Sequence, residues 1–190
     1  MPLVLLPADE REPQPWRNGG GTTYEIARAD HPQRSREFLW RVSIAEVSAP
    51  GPFSLFPGYQ RLIAVIAGAG MSLRGLAPDE VTLAPFQVTR FDGALAVEGL
   101  LRNGAVQDFN VIFDPAICSA RLEFADQPGA RPLTARTTLL VNVDAEPCEW
   151  RCRRERGDLA RLDAVQLTDA RGETLEWRDA ARVALVEIAY

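Results

Sequence analysis

Apolar and polar residues alternate in short runs along most of the chain, and glycine and proline separate the runs. Trp40-Arg41-Val42-Ser43-Ile44-Ala45 shows the pattern best. Successive side chains of a strand point to opposite faces, so Trp40, Val42 and Ile44 share one face, and Arg41, Ser43 and Ala45 share the other. Thr23 and Glu25 likewise lie opposite Tyr24 and Ile26, and Asp108 and Asn110 flank Phe109. Runs rich in Val, Ile and Leu predict strands at 39–47, 61–67, 81–84, 86–91, 108–113, 118–124, 137–143 and 182–188. Their turn residues often recur about every 8–12 positions, a rhythm of sandwiches and barrels rather than of βαβ units. Gly68-Ala69-Gly70 reads as a hairpin connection.

Helix signals are few. Leu159, Leu162 and Val165 fall three apart, which fits a short helix over 158–165. The same stretch also reads as Gly157-Asp158 followed by a strand. Residues 29–37 are polar, carry Pro32, and read as a loop. Two further loops stand out: 17–21, with three consecutive glycines, and 48–58, with three prolines and two glycines. One run of strands ends near 115–117 and a shorter one follows. The expected fold class is therefore all-β, with an N-terminal barrel unit over 1–115 and a smaller one over 116–190 packed against it.

Composition narrows the partners. The chain has 190 residues, 46% apolar and 25% charged, which suits a folded protein rather than a disordered one. Its net charge is −5, and the densest basic cluster, Arg151, Arg153, Arg154 and Arg156, is broken by Glu155 and followed by Asp158. A solvated strand face accounts for that cluster, so neither nucleic acid nor an anionic membrane is expected as a partner. The start of the chain lacks the positive charge and long apolar run of a signal peptide. Three cysteines cannot all pair with one another, which fits a reducing compartment, and the expected location is cytoplasmic.

Candidate chemistry is limited by what is scarce. The soft metal ligands are His31, Cys118, Cys148 and Cys152. Cys148 and Cys152 lie four apart in a strand-like run, which separates them by about 13 Å, too far to share one ion. They are expected to be small buried hydrophobes, with no metal and no cofactor. His31 is the sole histidine, expected exposed in its loop, so a Ser-His or Cys-His pair has no ready base and no catalytic residue is assigned. The triple glycine lacks the lysine of a phosphate loop. It reads either as a flexible turn or as a backbone nest for an anion. The polar strand faces are either solvated or the lining of a barrel cavity.

Several of these stretches together resemble one family. Trp16-Arg17-Asn18-Gly19-Gly20-Gly21-Thr22-Thr23-Tyr24-Glu25-Ile26-Ala27, Trp40 to Val47, Gly51-Pro52-Phe53-Ser54-Leu55-Phe56-Pro57-Gly58, Arg61-Leu62, Gly68-x-Gly70 and Asp108-Phe109-Asn110 resemble the HutD/Ves family over residues 16–110. Gly157-Asp158 is the one matching fragment beyond 116. The resemblance implies a cupin-type double barrel (bicupin) in a single chain. It also implies an association with bacterial histidine utilisation and a small-molecule-binding, flux-limiting role. N-formylglutamate and urocanate are the ligand candidates it brings. Val111-Ile112-Phe113-Asp114-Pro115 stands where the family pattern has a methionine and a pair of arginines.

On this reading, a metal-free barrel binds a small carboxylate and regulates a catabolic pathway. Arg61 and Arg41 supply charge-assisted, bidentate bonds to the carboxylate. Asn18, Ser43 and Thr22 read neutral polar groups, Glu25 orients an arginine or accepts an amide N–H, and Asp108 and Asn110 complete the site. Arg61 has a second reading as a surface arginine capping its strand. A rival is a metal-independent isomerase, hydrolase or lyase using Glu25 or Asp108 as acid or base. A third is an interaction module without a ligand. Edge strands make a homodimer an expectation as well.

Overall fold

The computed structural model describes residues 2–34, 37–76, 80–179 and 182–190, and among them there are strands and connections but no helix. The chain divides into two units. One is Glu12–Ile117, and the other joins the segment ending at Arg11 to Cys118–Tyr190.

The N-terminal unit faces a six-stranded sheet with a four-stranded one. The larger sheet runs Pro13–Pro15, Gly21–Asp30, Phe38–Val47, Val106–Phe113, Gln60–Ala67 and Thr89–Asp92 from edge to edge. The smaller runs Gly51–Pro52, Glu98–Leu101, Met71–Arg74 and Val81–Leu83. Neighbouring strands are antiparallel throughout. One apolar cluster joins the sheets, with Ala45, Val47, Ile63 and Val65 from the larger and Met71, Leu73 and Leu83 from the smaller. Gly68 and Gly70 both have positive φ, 96° and 98°, and they close the hairpin expected there.

The C-terminal unit repeats the plan. Leu3–Leu6, Ala164–Thr168, Thr137–Asn142, Val183–Ala189 and Ser119–Ala125 form one sheet. Gly129–Pro132, Thr174–Arg178, Cys148–Cys152 and Glu155–Leu159 form the other. Trp150, Trp177, Leu140, Leu185, Cys148 and Cys152 fill the space between them.

The division differs from the expected 1–115 at its beginning. Leu3–Leu6 pairs in register with Ala164–Thr168, so the first strand belongs to the second unit. Arg11 fastens the segment by donating from Nη2 to the carbonyls of Leu6 and Leu162, and Ala8 N donates to Asp163 Oδ1 at 2.7 Å. The helix read over 158–165 is also absent. Strand Glu155–Leu159 ends, the chain turns through Leu162 at φ 67°, and Ala164–Thr168 begins. The three-residue spacing there comes from a turn between two strands rather than from one helical face.

Candidate functional site

Register decides which side chains meet inside the N-terminal unit. Residues directly opposite one another in antiparallel strands share a face. Arg41 lies opposite Ile112, Ile112 opposite Arg61, and Arg61 opposite Phe91, forming one rung across the larger sheet. The next rung inward is Glu25, Ser43, Asn110 and Ile63, and the one after it is Thr23, Ala45, Asp108 and Val65. The polar face of each alternating run is thus turned inward. The deeper positions join the apolar cluster, while the outer ones surround a cavity of about 460 Å³. Arg61, Arg41, Ser43, Asn110 and Asn18 line it, together with Thr23, Trp16, Phe53 and Phe56.

Arg61 is 4% exposed, so it is no surface cap. Its Nη2 donates to Asn110 Oδ1 at 2.6 Å, and Asn110 Nδ2 in turn donates to Asp108 Oδ1. Phenyl rings cover the guanidinium, with Phe53 at 4.9 Å, Phe91 at 5.2 Å and Phe56 at 5.9 Å from Cζ. Arg41 is stacked in the same manner on Phe38 and Phe56, each at 5.3 Å. Phe56 therefore serves both cations. Stacking on ring faces leaves the N–H edges for in-plane partners. The buried Nε of each arginine has no protein partner.

Burial pushes the Arg61 guanidinium down to about 10, with Arg41 adding to the effect and Asp108 opposing it. Burial also lowers Arg41; Glu25 opposes that shift and Arg28 reinforces it. Asp108 is fully buried, and that burial raises its carboxyl to about 7 against the opposing pull of Arg61 and Asn110. Its Oδ2 has no partner. The wall therefore carries the guanidiniums of Arg61 and Arg41, with that of Arg17 added from the exposed glycine loop, while its nearest deep carboxylate is only partly ionised at neutral pH. Such a wall favours an anion.

Five of the residues singled out from sequence meet at the cavity: Arg61, Arg41, Asn18, Ser43 and Asn110. Asp108 lies beneath Asn110, outside the lining. Glu25 sits on the inner face opposite Ser43 and acts on Arg41 through its charge. Thr22 pairs with Glu46 on the other face, and Thr23 stands in the wall instead. Alternation carried that distinction, because positions 22 and 25 cannot share a face of one regular strand. The rings of Trp16, Phe53, Phe56 and Phe91 were not singled out from sequence. Phe53-x-x-Phe56 ahead of Arg61 was the available signal.

The glycine loop is a fixed wall and not an open nest. Gly19 N donates to Trp16 O and Gly20 N to Asn18 Oδ1, so both amides are engaged within the loop. Gly20 O accepts from Ser48 N and Ala49 N, which ties the loop to the start of 48–58. A Cβ on Gly21 would lie 2.5 Å from Glu46 O and 3.2 Å from the Trp16 ring. Trp16 is held over the cavity by its Nε1 bond to Thr23 Oγ1 at 2.8 Å and by edge contact with Phe53.

His31 corrects the expectation of exposure. Its side chain is buried, its Nδ1 accepts from Gln33 N and Arg34 N, and its Nε2 lies 3.3 Å from Asp114 Oδ2. The ring closes the connection after Gly21–Asp30 and is not part of the cavity lining. Cys148 and Cys152 are buried in one strand, as the spacing required.

The HutD family model matches residues 8–185. The chain is also 36% identical to an uncharacterised 21.2 kDa protein from the hutC 3′ region of Pseudomonas putida, over 98% of this chain and 97% of that one. This chain belongs to the HutD family. A solved structure of HutD from Pseudomonas fluorescens SBW25 is 34% identical, with a TM-score of 0.85 over 99% of this chain and 98% of that one. At the level of fold alone, the bacterial pirin YhhW of Escherichia coli, solved in complex with nickel(II), aligns at 10% identity with a TM-score of 0.64 over 98% of each chain. The HutD fold is thus of the all-β cupin type. The donor set of this HutD cavity does not fit a metal, since its cationic arginines repel one and its remaining polar donors are neutral. Among the described residues, no group of three His, Cys, Asp or Glu side chains is placed to hold an ion. Nor is any helix among them long and apolar enough to cross a membrane.

Proposed function

We propose that the Arg61 cavity binds a small carboxylate metabolite, and that this binding regulates histidine utilisation, with N-formylglutamate and urocanate as candidate ligands. The observation that carries the reading is the pair of ring-covered arginines, one of them almost fully buried, at a cavity lined also by Arg17, by the neutral polar Asn18, Thr23, Ser43 and Asn110, and by aromatic rings. A buried guanidinium gains most from an in-plane carboxylate, which accepts two parallel bonds. The volume of about 460 Å³ suits a metabolite of that size. The pathway assignment rests on family membership and on the hutC setting of the P. putida relative. Asp108 supports binding more than acid–base turnover, because its carboxylate meets the cavity only through the Asn110 amide.

Titration calorimetry with N-formylglutamate and urocanate, with product analysis of every mixture that shows heat, tests the proposal. Wild-type protein is expected to bind at least one of them without converting it. Arg61→Ala should lose about 2–3 kcal/mol, or roughly 30- to 150-fold in affinity, because the carboxylate loses its charged partner. Arg61→Lys should recover part of that, since an ammonium lacks the planar fork. Folding of each variant is checked by its melting transition, because a side chain this buried also contributes to packing. Unchanged affinity in a folded Arg61→Ala protein would move the anion site elsewhere, Arg41 first, and product formation would make the protein an enzyme.

A further inference from the structure

Beneath the cavity runs a chain of three side chains from two adjacent strands: Arg61, Asn110 and Asp108. The middle member can bridge in one orientation only. An amide placed between a guanidinium and a carboxylate must turn its oxygen to the cation and its NH₂ to the anion. Asp108 therefore fixes the Asn110 amide, and the amide fixes one Nη of Arg61. Asp108 touches no ligand in this arrangement; it is a positioning residue.

We propose that carboxylate binding at Arg61 is proton-linked through this chain, with Asp108 taking up a proton as the ligand enters. This rests on the carboxylate-binding reading of the cavity and adds a property that simple anion capture does not require.

Charge accounting supports it. Arg61 is the cation that acts on Asp108, from the neighbouring strand Gln60–Ala67. Arg41, on Phe38–Val47, acts on Arg61, and Glu25, on Gly21–Asp30, acts on Arg41. The facing sheet contributes the apolar Met71 and Leu73 to the cluster that also holds Ala45 and Val65, the residues opposite Asp108. A second anion at Arg61 divides one buried cation between two carboxylates. Like charges close together in a dry setting do not both persist, and one of them protonates. The incoming carboxylate bonds the guanidinium directly, whereas Asp108 reaches it through an amide, so Asp108 yields. A neutral Asp108 still accepts the Asn110 N–H at Oδ1, and the positioning survives protonation. Asp108 titrates near 7 before the ligand arrives, so the step falls within the physiological range.

Linkage fixes the sign. Affinity is flat below the free protein's titration and weakens above it, by at most about tenfold per pH unit. Between pH 6 and pH 8 the expected weakening is about tenfold for wild-type protein. Asp108→Asn keeps the shape and the acceptor while removing the proton site. It should bind with little pH dependence, and at pH 8 at least as tightly as wild type.

Calorimetry with N-formylglutamate, and with formate as a bare-carboxylate probe, is run at pH 7.5 in two buffers of different ionisation enthalpy. A net uptake of up to about three-quarters of a proton per ligand in wild type, lost in Asp108→Asn, is the expected result. If the variant does not fold, carboxyl-carbon NMR of wild-type protein labelled at aspartate reads the Asp108 titration directly, and its midpoint should rise when either probe is added. Binding of a probe with no proton uptake and an unmoved midpoint would overturn the linkage and leave the carboxylate site standing. Absence of binding by both probes would overturn the two together.

Discussion

Inside the C-terminal unit, Trp150, Trp177, Leu140 and Leu185 occupy the space between the sheets. In the N-terminal unit the corresponding space is divided. Its deeper part holds Ile63, Val65, Met71 and Leu73, and its outer part holds Arg61, Ser43 and Asn110 around a cavity. The two units share a plan of one larger and one four-stranded sheet, so the plan does not decide which of them binds. Residue type at inward positions does. Close packing of large side chains stabilises a barrel and closes it. Two arginines whose faces are covered by rings keep a barrel open while still removing apolar surface from water.

The largest effect that separates the units belongs to the filled one. Trp150→Ala removes a side chain that is 2% exposed at the centre of the C-terminal core, and should cost about 3–5 kcal/mol. Carboxylate affinity at 25 °C should stay within about twofold, because the substitution touches none of the cavity wall. Denaturant melts and calorimetry on one preparation give both numbers. A large loss of affinity in the folded variant would mean that the filling of one unit governs the other's site.

Much of the fold was legible because β alternation is a local signal. The expected strands at 39–47, 61–67, 108–113 and 137–143 appear as Phe38–Val47, Gln60–Ala67, Val106–Phe113 and Thr137–Asn142. These are runs that Val, Ile and Leu mark strongly. Glu98–Leu101, Gly129–Pro132 and Thr174–Arg178 were not foreseen, since short strands rich in Gly, Pro, Glu and Arg carry little pattern. The place of Leu3–Leu6 depends on a partner more than 150 residues away, which no local pattern encodes. The site divides in the same way. Arg41, Ser43 and Asn110 follow from alternation, whereas the depth of Asp108 and the burial of Arg61 depend on what lies across the barrel, and the burial of His31 on its own loop and the sequence-distant Asp114.

A second difference between the units lies in their response to pH. The C-terminal core cluster holds no carboxyl group, whereas the N-terminal barrel encloses Asp108. Its carboxyl is raised from 3.8 to about 7 by folding. Between these values the folded state binds more protons than the unfolded chain, so stability is fully present below about 4 and falls until about 7. The expected loss over that window is on the order of a few kcal/mol. Asp108→Asn should flatten the slope, exceeding wild type by a margin that grows from pH 5 to about pH 7 and then levels off. Melting temperatures of both proteins across pH 5–8 measure this. A wild-type stability that climbs over the window would show that the Asp108 charge is favoured in the folded protein.

The smallest effect concerns Glu25, and it separates two roles for one residue. Glu25 lies opposite Ser43 on the inner face, and its charge acts on Arg41. If that is its whole contribution, Glu25 competes with the ligand for Arg41, and Glu25→Gln should strengthen carboxylate binding by about 0.5–1 kcal/mol, roughly two- to fivefold. The gain should shrink in added salt, because a half-exposed charge is screened. If Glu25 instead accepts an N–H from the ligand, the variant binds more weakly. N-formylglutamate, which has an amide N–H, would then suffer more than formate, which has none. Calorimetry with both probes at two salt concentrations distinguishes these outcomes. Tighter binding of both probes by Glu25→Gln would make the wall a purely cationic receptor, balanced from behind by its own carboxylates.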